Sequence, residues 1–281
     1  MLYKVEALEE NLWAINEINK TIMYFICGEE AVLLIDTGLG LTPLKEVIKE
    51  YCGNKKIIVV NTHSHLDHNS GNNQFDKVYV GRFDEPYAHE IMGSQMKEMG
   101  KRMFFENNAA ASQINLDTWK PGPAKQIKTL KTGDIFSIGG YDLEVLEVPS
   151  HTLGSIVLIE KKMGWMFSGD IFLTWGVWGH LSDYKSAMSA SLKVYGESVH
   201  NLLKYIPYLK TIFPAHGMAQ GNPEGCSEYR ITPQVIDIYD KGIAEILSGV
   251  RSGKDYTAEF AQGKMETFSI GGILYNKERM D

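Results

Sequence analysis

Five times in this chain a short apolar run stops in small residues and then in an aspartate or a histidine. Ala31–Ile35 runs into Asp36-Thr37-Gly38, and Ile57–Val60 runs into Asn61-Thr62-His63. Leu143–Val148 leads to Pro149-Ser150-His151, and Trp165–Phe167 leads to Ser168-Gly169-Asp170. Ile212-Phe213 leads to Pro214-Ala215-His216-Gly217. Small residues let the backbone turn sharply, and strand ends are where sheet proteins assemble sites. Five ends of one chemical type point to a shared destination, so the fold must bring them to one edge.

The surrounding pattern is compatible with such a fold. Asn11–Glu17, Thr21–Gly28 and Ala31–Asp36 are rich in β-branched and aromatic residues and read as strands, with a hairpin turn at Gly28-Glu29-Glu30. Leu44, Val47 and Ile48 have helical spacing, with Thr42-Pro43 as the N-cap and first-turn pair. Lys56–Thr62, Lys77–Gly81, Gln126–Leu130, Tyr141–Val148, Ile156–Lys161, Trp165–Phe167 and Thr211–Phe213 read as further strands. Helices are expected over Ala187–Tyr205 and Val235–Ser248, with Phe268–Tyr275 as a closing strand. Two β-rich halves with helices between them suggest two sheets packed face to face with helices outside. The region 84–124 differs. Ile91, Met92, Met96, Met99 and Met103 form an apolar stripe at helical spacing, which reads as core packing or as a lid over an apolar substrate.

The densest chemistry is His63-Ser64-His65-Leu66-Asp67-His68. Imidazole nitrogen and carboxylate oxygen are ligands for zinc and similar first-row cations. A strand would separate His68 from His63, His65 and Asp67, so the reading expects a loop that curls after the strand and gathers all of them. His151, Asp170 and His216 share the strand-end setting and are the remaining candidate ligands. Asp36 is read as accepting a hydrogen bond from a ligand imidazole and fixing its orientation. His89 and His200 look incidental.

Bulk properties narrow the partners. The chain has 281 residues, 44% hydrophobic and 22% charged, as an ordinary globular protein has. A net charge of −7 argues against a nucleic-acid polymer as main partner. Lys120, Lys125, Lys128 and Lys131 read as a solvated strand face. Three cysteines, Cys27, Cys52 and Cys226, give no disulfide framework and suit a reducing cytoplasm. The acidic N-terminal stretch does not resemble a signal peptide, and no run approaches the roughly 18 apolar residues of a membrane span.

His63-x-His65-x-Asp67-His68, with Asp36, His151, Asp170 and His216 in that order, resembles the five-motif signature of the metallo-β-lactamase-fold hydrolases, over about residues 20 to 220. The resemblance implies an α/β fold: an αββα sandwich of two mixed β-sheets flanked by helices. It implies a single domain over 1–281, with a helical insertion at about 84–124 and a C-terminal helix-strand extension at about 221–281. It assigns His63, His65 and His151 to one metal, Asp67, His68 and His216 to a second, and Asp170 to both. Asp67 and Asp170 then offset the charge of the ions and orient a metal-bridging hydroxide. Zinc is the expected ion, with iron or manganese as alternatives. Asp170 stands where β-lactamases of this fold generally carry Cys or Ser, and His151-Thr152-Leu153-Gly154-Ser155 resembles the glyoxalase II and lactonase branch. Asn69-Ser70-Gly71 departs from the common pair of adjacent glycines. The implied function is hydrolysis of a small-molecule ester, thioester or lactone by a cytoplasmic enzyme, with a homodimer among the expected assemblies and with no nucleic acid and no membrane expected as partner. The alternatives are a mononuclear-iron persulfide dioxygenase and a phosphodiesterase or nuclease of the same fold. Trp175, Val177, Trp178, His180, Tyr184 and Tyr195 are the candidate substrate contacts.

Overall fold

The computed structural model describes residues 2–90, 98, 100–106, 108, 111–112, 114–115, 117, 119–178, 189–217, 228–258, 261–277 and 280–281. Strands β1 (Tyr3–Glu9), β2 (Leu12–Glu17), β3 (Thr21–Cys27), β4 (Ala31–Ile35), β5 (Lys56–Val60), β6 (Lys77–Gly81) and β7 (Gln126–Leu130) form a seven-stranded sheet in that order. Pairing is antiparallel from β1 to β4 and parallel from β4 to β7. The change of sense comes from helix α1 (Leu44–Cys52), which carries the chain back from the end of β4 to the start of β5. Parallel pairing therefore puts the C-terminal ends of β4 and β5, with Asp36 and His63 beyond them, on the same edge.

The second sheet takes β8 (Ile135–Ser137), β9 (Asp142–Glu147), β10 (Ile156–Glu160) and β11 (Trp165–Gly169). The chain then passes through β12 (Val177–Trp178) and returns as β13 (Thr211–Pro214), giving the order β13-β11-β10-β9-β8. β13 lies parallel to β11, so Asp170 and His216 also follow neighbouring strand ends on one edge.

Side-chain alternation along the strands separates three apolar layers. Tyr24, Ile26, Leu33 and Ile35 of the first sheet meet Val145, Leu158, Phe167 and Phe213 of the second in the central layer. The opposite face of the first sheet, with Met23, Phe25, Val32 and Leu34, is covered by Leu44, Val47 and Ile48 of α1. The outer face of the second sheet is covered by α4 (Leu192–Leu202) and α5 (Val235–Leu247), through Leu192, Tyr195, Val199, Ile236, Tyr239 and Ile243. The layers run helix, sheet, sheet, helix, as the sequence pattern implies. Burying each of those aliphatic side chains contributes about 1.5–3 kcal/mol before the entropy cost of ordering the chain.

Several local expectations shift. Helix α1 begins after Pro43 rather than at it, because the Thr42 hydroxyl is taken by the carboxylate of Glu17 at 2.7 Å. Helix α4 starts at Leu192, where Ser191 accepts from the Val194 amide, after the non-helical Ser189 and Ala190; Ala187 lies outside the described residues. The closing strand is shorter than expected. It is β16 (Gly272–Tyr275), paired with β12 and with β15 (Ala261–Thr267) in a third sheet completed by β14 (Lys254–Ala258). The polar patterning of β14 and β15 hid them, as did the polar alternation of the edge strand β1. β7 closes the other edge of the first sheet, and its exposed Lys128 suits an edge that must not pair with another chain. In the 84–124 region the described residues include a short helix, α3 (Glu85–Ala88), placed before α4 in the chain, and a π-helical turn at Lys101–Phe105. Phe105, Ala111 and Trp119 pack on Ile18, Leu39 and Leu66, so these residues build a small core beside the histidine-rich loop. Ile91, Met92, Met96 and Met99 lie outside the described residues.

Candidate metal centre

The histidine-rich stretch is not wholly a loop. After β5 the chain is irregular to His65, which is extended, and one helical turn, α2 (Leu66–Asn69), follows. The extended part sends His63 and His65 to one cluster. The helical turn sets Asp67 and His68 in a second cluster beside it. The turn closes with the Ser70 amide donating to the Leu66 carbonyl at 3.2 Å. Gly71 has no room for a side chain, since a Cβ there would lie 2.4 Å from the Thr37 carbonyl oxygen.

The residues from both sheets converge. His63 Nε2 lies 3.1 Å from His65 Nδ1, and His151 Nε2 lies 2.8 Å from the same atom. Beside this triad, Asp67 Oδ2 is 3.5 Å from His68 Nε2 and 3.1 Å from His216 Nε2. Asp170 stands between the two. Its Oδ2 is 3.5 Å from His151 Nε2, while its Oδ1 is 3.5 Å from His68 Nε2 and 3.3 Å from His216 Nε2. Within each of the groups His63/His65/His151, His63/His68/Asp170 and Asp67/His68/His216, the ligand atoms lie within 4.8 Å of one another. Gly169 makes the approach of the sheets possible: its φ is +53°, and a Cβ there would meet Thr62 Oγ1 at 2.6 Å.

Hydrogen bonds on the far sides of the rings aim them. His68 Nδ1 donates to Asp36 Oδ2 at 3.0 Å, which leaves the Nε2 lone pair facing the centre. Asp36, with φ +65°, also accepts from the Thr62 amide at 2.7 Å and the Thr62 hydroxyl at 2.8 Å. Because that hydroxyl is already donating, His63 Nδ1, 3.2 Å away, must be the donor to Thr62 Oγ1. His63 Nε2 is thereby also free to coordinate. His216 Nδ1 donates to the Lys20 carbonyl at 2.5 Å. Asp36 thus sets the tautomers of one imidazole in each cluster.

The electrostatics divide along the same line. Burial, with His68 and His65 adding to it, holds the His63 imidazole well below the usual range, and burial beside His151 brings His65 down to about 3. Burial also works against charge on Asp67 and Asp170, but His68 and His216 outweigh it and keep both carboxyls well below their usual range. Burial lowers His68 and His216 as well, and the facing carboxylates outweigh it and hold both well above the ordinary value. Once a cation displaces the protons that the carboxylates hold on His68 and His216, three neutral nitrogens on one side, and two carboxylates among nitrogens on the other, would form a donor set for borderline divalent cations. Two atoms test the fit directly. His68 Nε2 and Asp170 Oδ1 are buried and have no hydrogen-bond partner. Such groups are costly to bury alone, and a cation between them satisfies both.

The family model described as the metallo-beta-lactamase superfamily matches residues 21–187, a segment that includes six of the converging side chains and Asp36. This chain belongs to the metallo-beta-lactamase superfamily. Among its relatives in the superfamily, acyl-coenzyme A thioesterase MBLAC2 of Homo sapiens is 29% identical over 192 residues, covering 59% of this chain and 65% of that protein. Hydroxyacylglutathione hydrolase GloC of Haemophilus influenzae is 28% identical over 153 residues, covering 53% of this chain and 65% of that protein. The alignment therefore spans just under two thirds of the length of these curated relatives. A solved metallo-beta-lactamase structure from Hirschia baltica shares the fold, with a TM-score of 0.55 and 15% identity over 86% of this chain and 97% of that one.

The remaining sequence-based site residues fare differently within this superfamily fold. Tyr195 is corrected: it is fully buried on α4 in the outer core, and its hydroxyl donates to the Ile171 carbonyl at 2.5 Å. That bond ties its ring to the loop that follows Asp170. Val177 is likewise fully buried in that core. Trp175 follows Asp170 on the same loop and is exposed at the surface. Trp178 pairs with Leu274 through β12. His180 and Tyr184 lie outside the described residues. His89 and His200 are surface groups paired with Glu85 and Asp240. Sequence reading missed Thr62 and Asp84, which hold the loops from beneath; a polar residue directly flanking a ligand motif was the signal available for Thr62.

Proposed function

We propose that this chain is a metal-dependent hydrolase that holds two divalent cations and cleaves small-molecule acyl thioesters. The observation that carries this reading is Asp170, whose two carboxylate oxygens face two different ligand groups. His63, His65 and His151 would hold one ion and Asp67, His68 and His216 the other, with Asp170 shared between the two groups. Zinc suits the nitrogen-rich set. Such ions, when bound, polarise an acyl oxygen and lower the pKa of water towards neutrality. The chain's own groups supply the rest. Asp67 and Asp170 offset the cationic charge, Asp36 and Thr62 fix the imidazole tautomers, and the buried surround excludes bulk water. Access is from the side of His65 and His216, the two candidate ligands that are only half-buried. The thioester assignment is supported by the activities named for two separate relatives, an acyl-coenzyme A thioesterase and a hydroxyacylglutathione hydrolase, since both split a carbon–sulfur acyl bond. Esters and lactones pass through the same kind of acyl transfer and form the wider class.

The test measures metal content and turnover on one sample, with acyl-coenzyme A, hydroxyacylglutathione, lactone, phosphodiester and β-lactam substrates. Two ions per chain with thioester turnover is the expected result. Two ions with turnover of phosphodiesters alone refutes the substrate class. A single iron with oxygen uptake refutes the hydrolase reading.

A further inference from the structure

We infer that Asp84 is a positioning residue that sets the three-histidine half of the centre independently of the other half. Asp84 begins the turn into α3, is fully buried, and touches no ligand. Its carboxylate joins the two loops that carry that triad. Oδ2 accepts from the Ser64 amide at 2.7 Å, and Ser64 lies between His63 and His65. The same oxygen accepts from the Thr152 hydroxyl at 2.9 Å, and Thr152 follows His151. Oδ1 accepts from the Gly154 amide at 2.9 Å. The Ser64 hydroxyl returns a bond to the Asp84 carbonyl at 3.1 Å. Gly154 is required for this approach, since a Cβ there would stand 2.4 Å from both the Asp84 amide nitrogen and Oδ1.

The contacts that Asp84 governs are the close ones of the triad. His65 Nδ1 meets His151 Nε2 at 2.8 Å across the two loops. The loops are fastened beneath that gap by Asp84 and by the Ile156 amide, which donates to the Thr62 carbonyl at 2.9 Å, so its width depends on those bonds. The second triad has other fasteners. Asp36 holds His68, the Lys20 carbonyl holds His216, and the Thr21 hydroxyl donates to the Asp67 carbonyl at 3.0 Å. Loosening Asp84 therefore weakens one cation site and spares the other. Supporting groups of this kind typically change metal affinity by about 10–100-fold when removed.

This inference rests on the reading that both triads hold metal, and the experiment separates the two. Stepwise zinc affinities are measured by chelator competition on the full chain, together with melting of the metal-free protein. The variants are Asp84→Asn, which turns an amide N–H towards a donor, Thr152→Val, which removes one of the three bonds, and Glu17→Gln. Glu17 is a control of the same kind, a buried carboxylate accepting from Leu39, Leu41 and Thr42 with no contact to either ligand loop. Wild-type protein is expected to bind two ions. Asp84→Asn is expected to weaken one binding step at least tenfold and leave the other within twofold, with Thr152→Val intermediate. Glu17→Gln is expected to lower the melting temperature with both steps unchanged. If Asp84→Asn does not fold, Thr152→Val decides. Equal weakening of both steps, unchanged affinities, or the same selective loss in Glu17→Gln overturns the inference. A wild-type chain that binds no zinc overturns the reading beneath it as well.

Discussion

Replacing Asp36 by asparagine changes one oxygen to an amide nitrogen and should disable a ligand it never touches through the metal. Asparagine tolerates the left-handed backbone at this position, so no new strain is added. The bond from the Thr62 amide to Oδ1 at 2.7 Å survives. At the other atom two donors now meet an N–H. The Thr62 hydroxyl can turn and accept from the new amide, but His68 Nδ1, fully buried 3.0 Å away, cannot. Loss of one charge-assisted bond destabilises by about 1.5–3 kcal/mol. The imidazole can recover by moving its proton to Nε2, which removes the lone pair that faces Asp67 and Asp170. Either outcome predicts about 10–100-fold weaker metal binding together with a stability loss in that range. Chelator competition and denaturant unfolding of the Asp36→Asn variant, each with and without zinc, measure both. Wild-type affinity in a folded Asp36→Asn protein would refute the tautomer argument, whatever happened to stability.

Further expectations concern other parts of the molecule. His65→Ala removes a half-buried side chain whose described ring contacts are with His63 and His151, so it should lose most bound metal and nearly all hydrolysis while melting within a few degrees of the metal-free wild type; elemental analysis and a melting curve check this. Tyr195→Phe should destabilise by about 0.5–1.5 kcal/mol through the lost bond to Ile171 and leave KM unchanged; a changed KM with unchanged stability would return Tyr195 to the substrate site. Glu17 supplies a pH signature. Burial pushes its carboxyl up to about 6 from 4.5, against the opposing bonds from Thr42, Leu39 and Leu41. The folded state therefore holds the proton longer than the unfolded state. The associated stabilisation is full below about pH 4.5 and is lost as pH rises through about 6, in all about 2 kcal/mol. The stability difference between wild type and Glu17→Gln, measured on metal-free protein, should shrink by that amount between pH 4 and 7, and a flat difference would contradict the assignment.

The strand ends were legible because two signals coincide there, β-branched runs and a sudden change to small and ligating residues. That coincidence is enough to place Asp36, His63, His151, Asp170 and His216 on one edge from the sequence alone. The single turn of α2 was not legible, since four residues carry no periodicity, and its effect is to set Asp67 and His68 apart from His63 and His65. Tyr195 was misplaced for a related reason: a tyrosine near a ligand in sequence reads the same whether its hydroxyl meets a substrate or a buried carbonyl. Asp84 was invisible because its importance lies in joining Ser64 to Thr152 and Gly154, which are distant in the chain. The third sheet was hidden by the polar outward faces of β14 and β15, whose partners only the fold supplies.

The candidate ligands are divided between the two sheets, with His63, His65, Asp67 and His68 after β5 and His151, Asp170 and His216 after β9, β11 and β13. An ion held by both groups acts as a clasp on the sandwich, and its affinity adds to folding stability. At free metal a hundredfold above the dissociation constant, one site contributes about 2.7 kcal/mol. Metal scarcity in the cell would then shorten the lifetime of the polypeptide as well as silence it, because degradation draws on the unfolded fraction. Pulse-chase turnover in metal-replete and metal-starved cells would show whether abundance follows the supply of the ion.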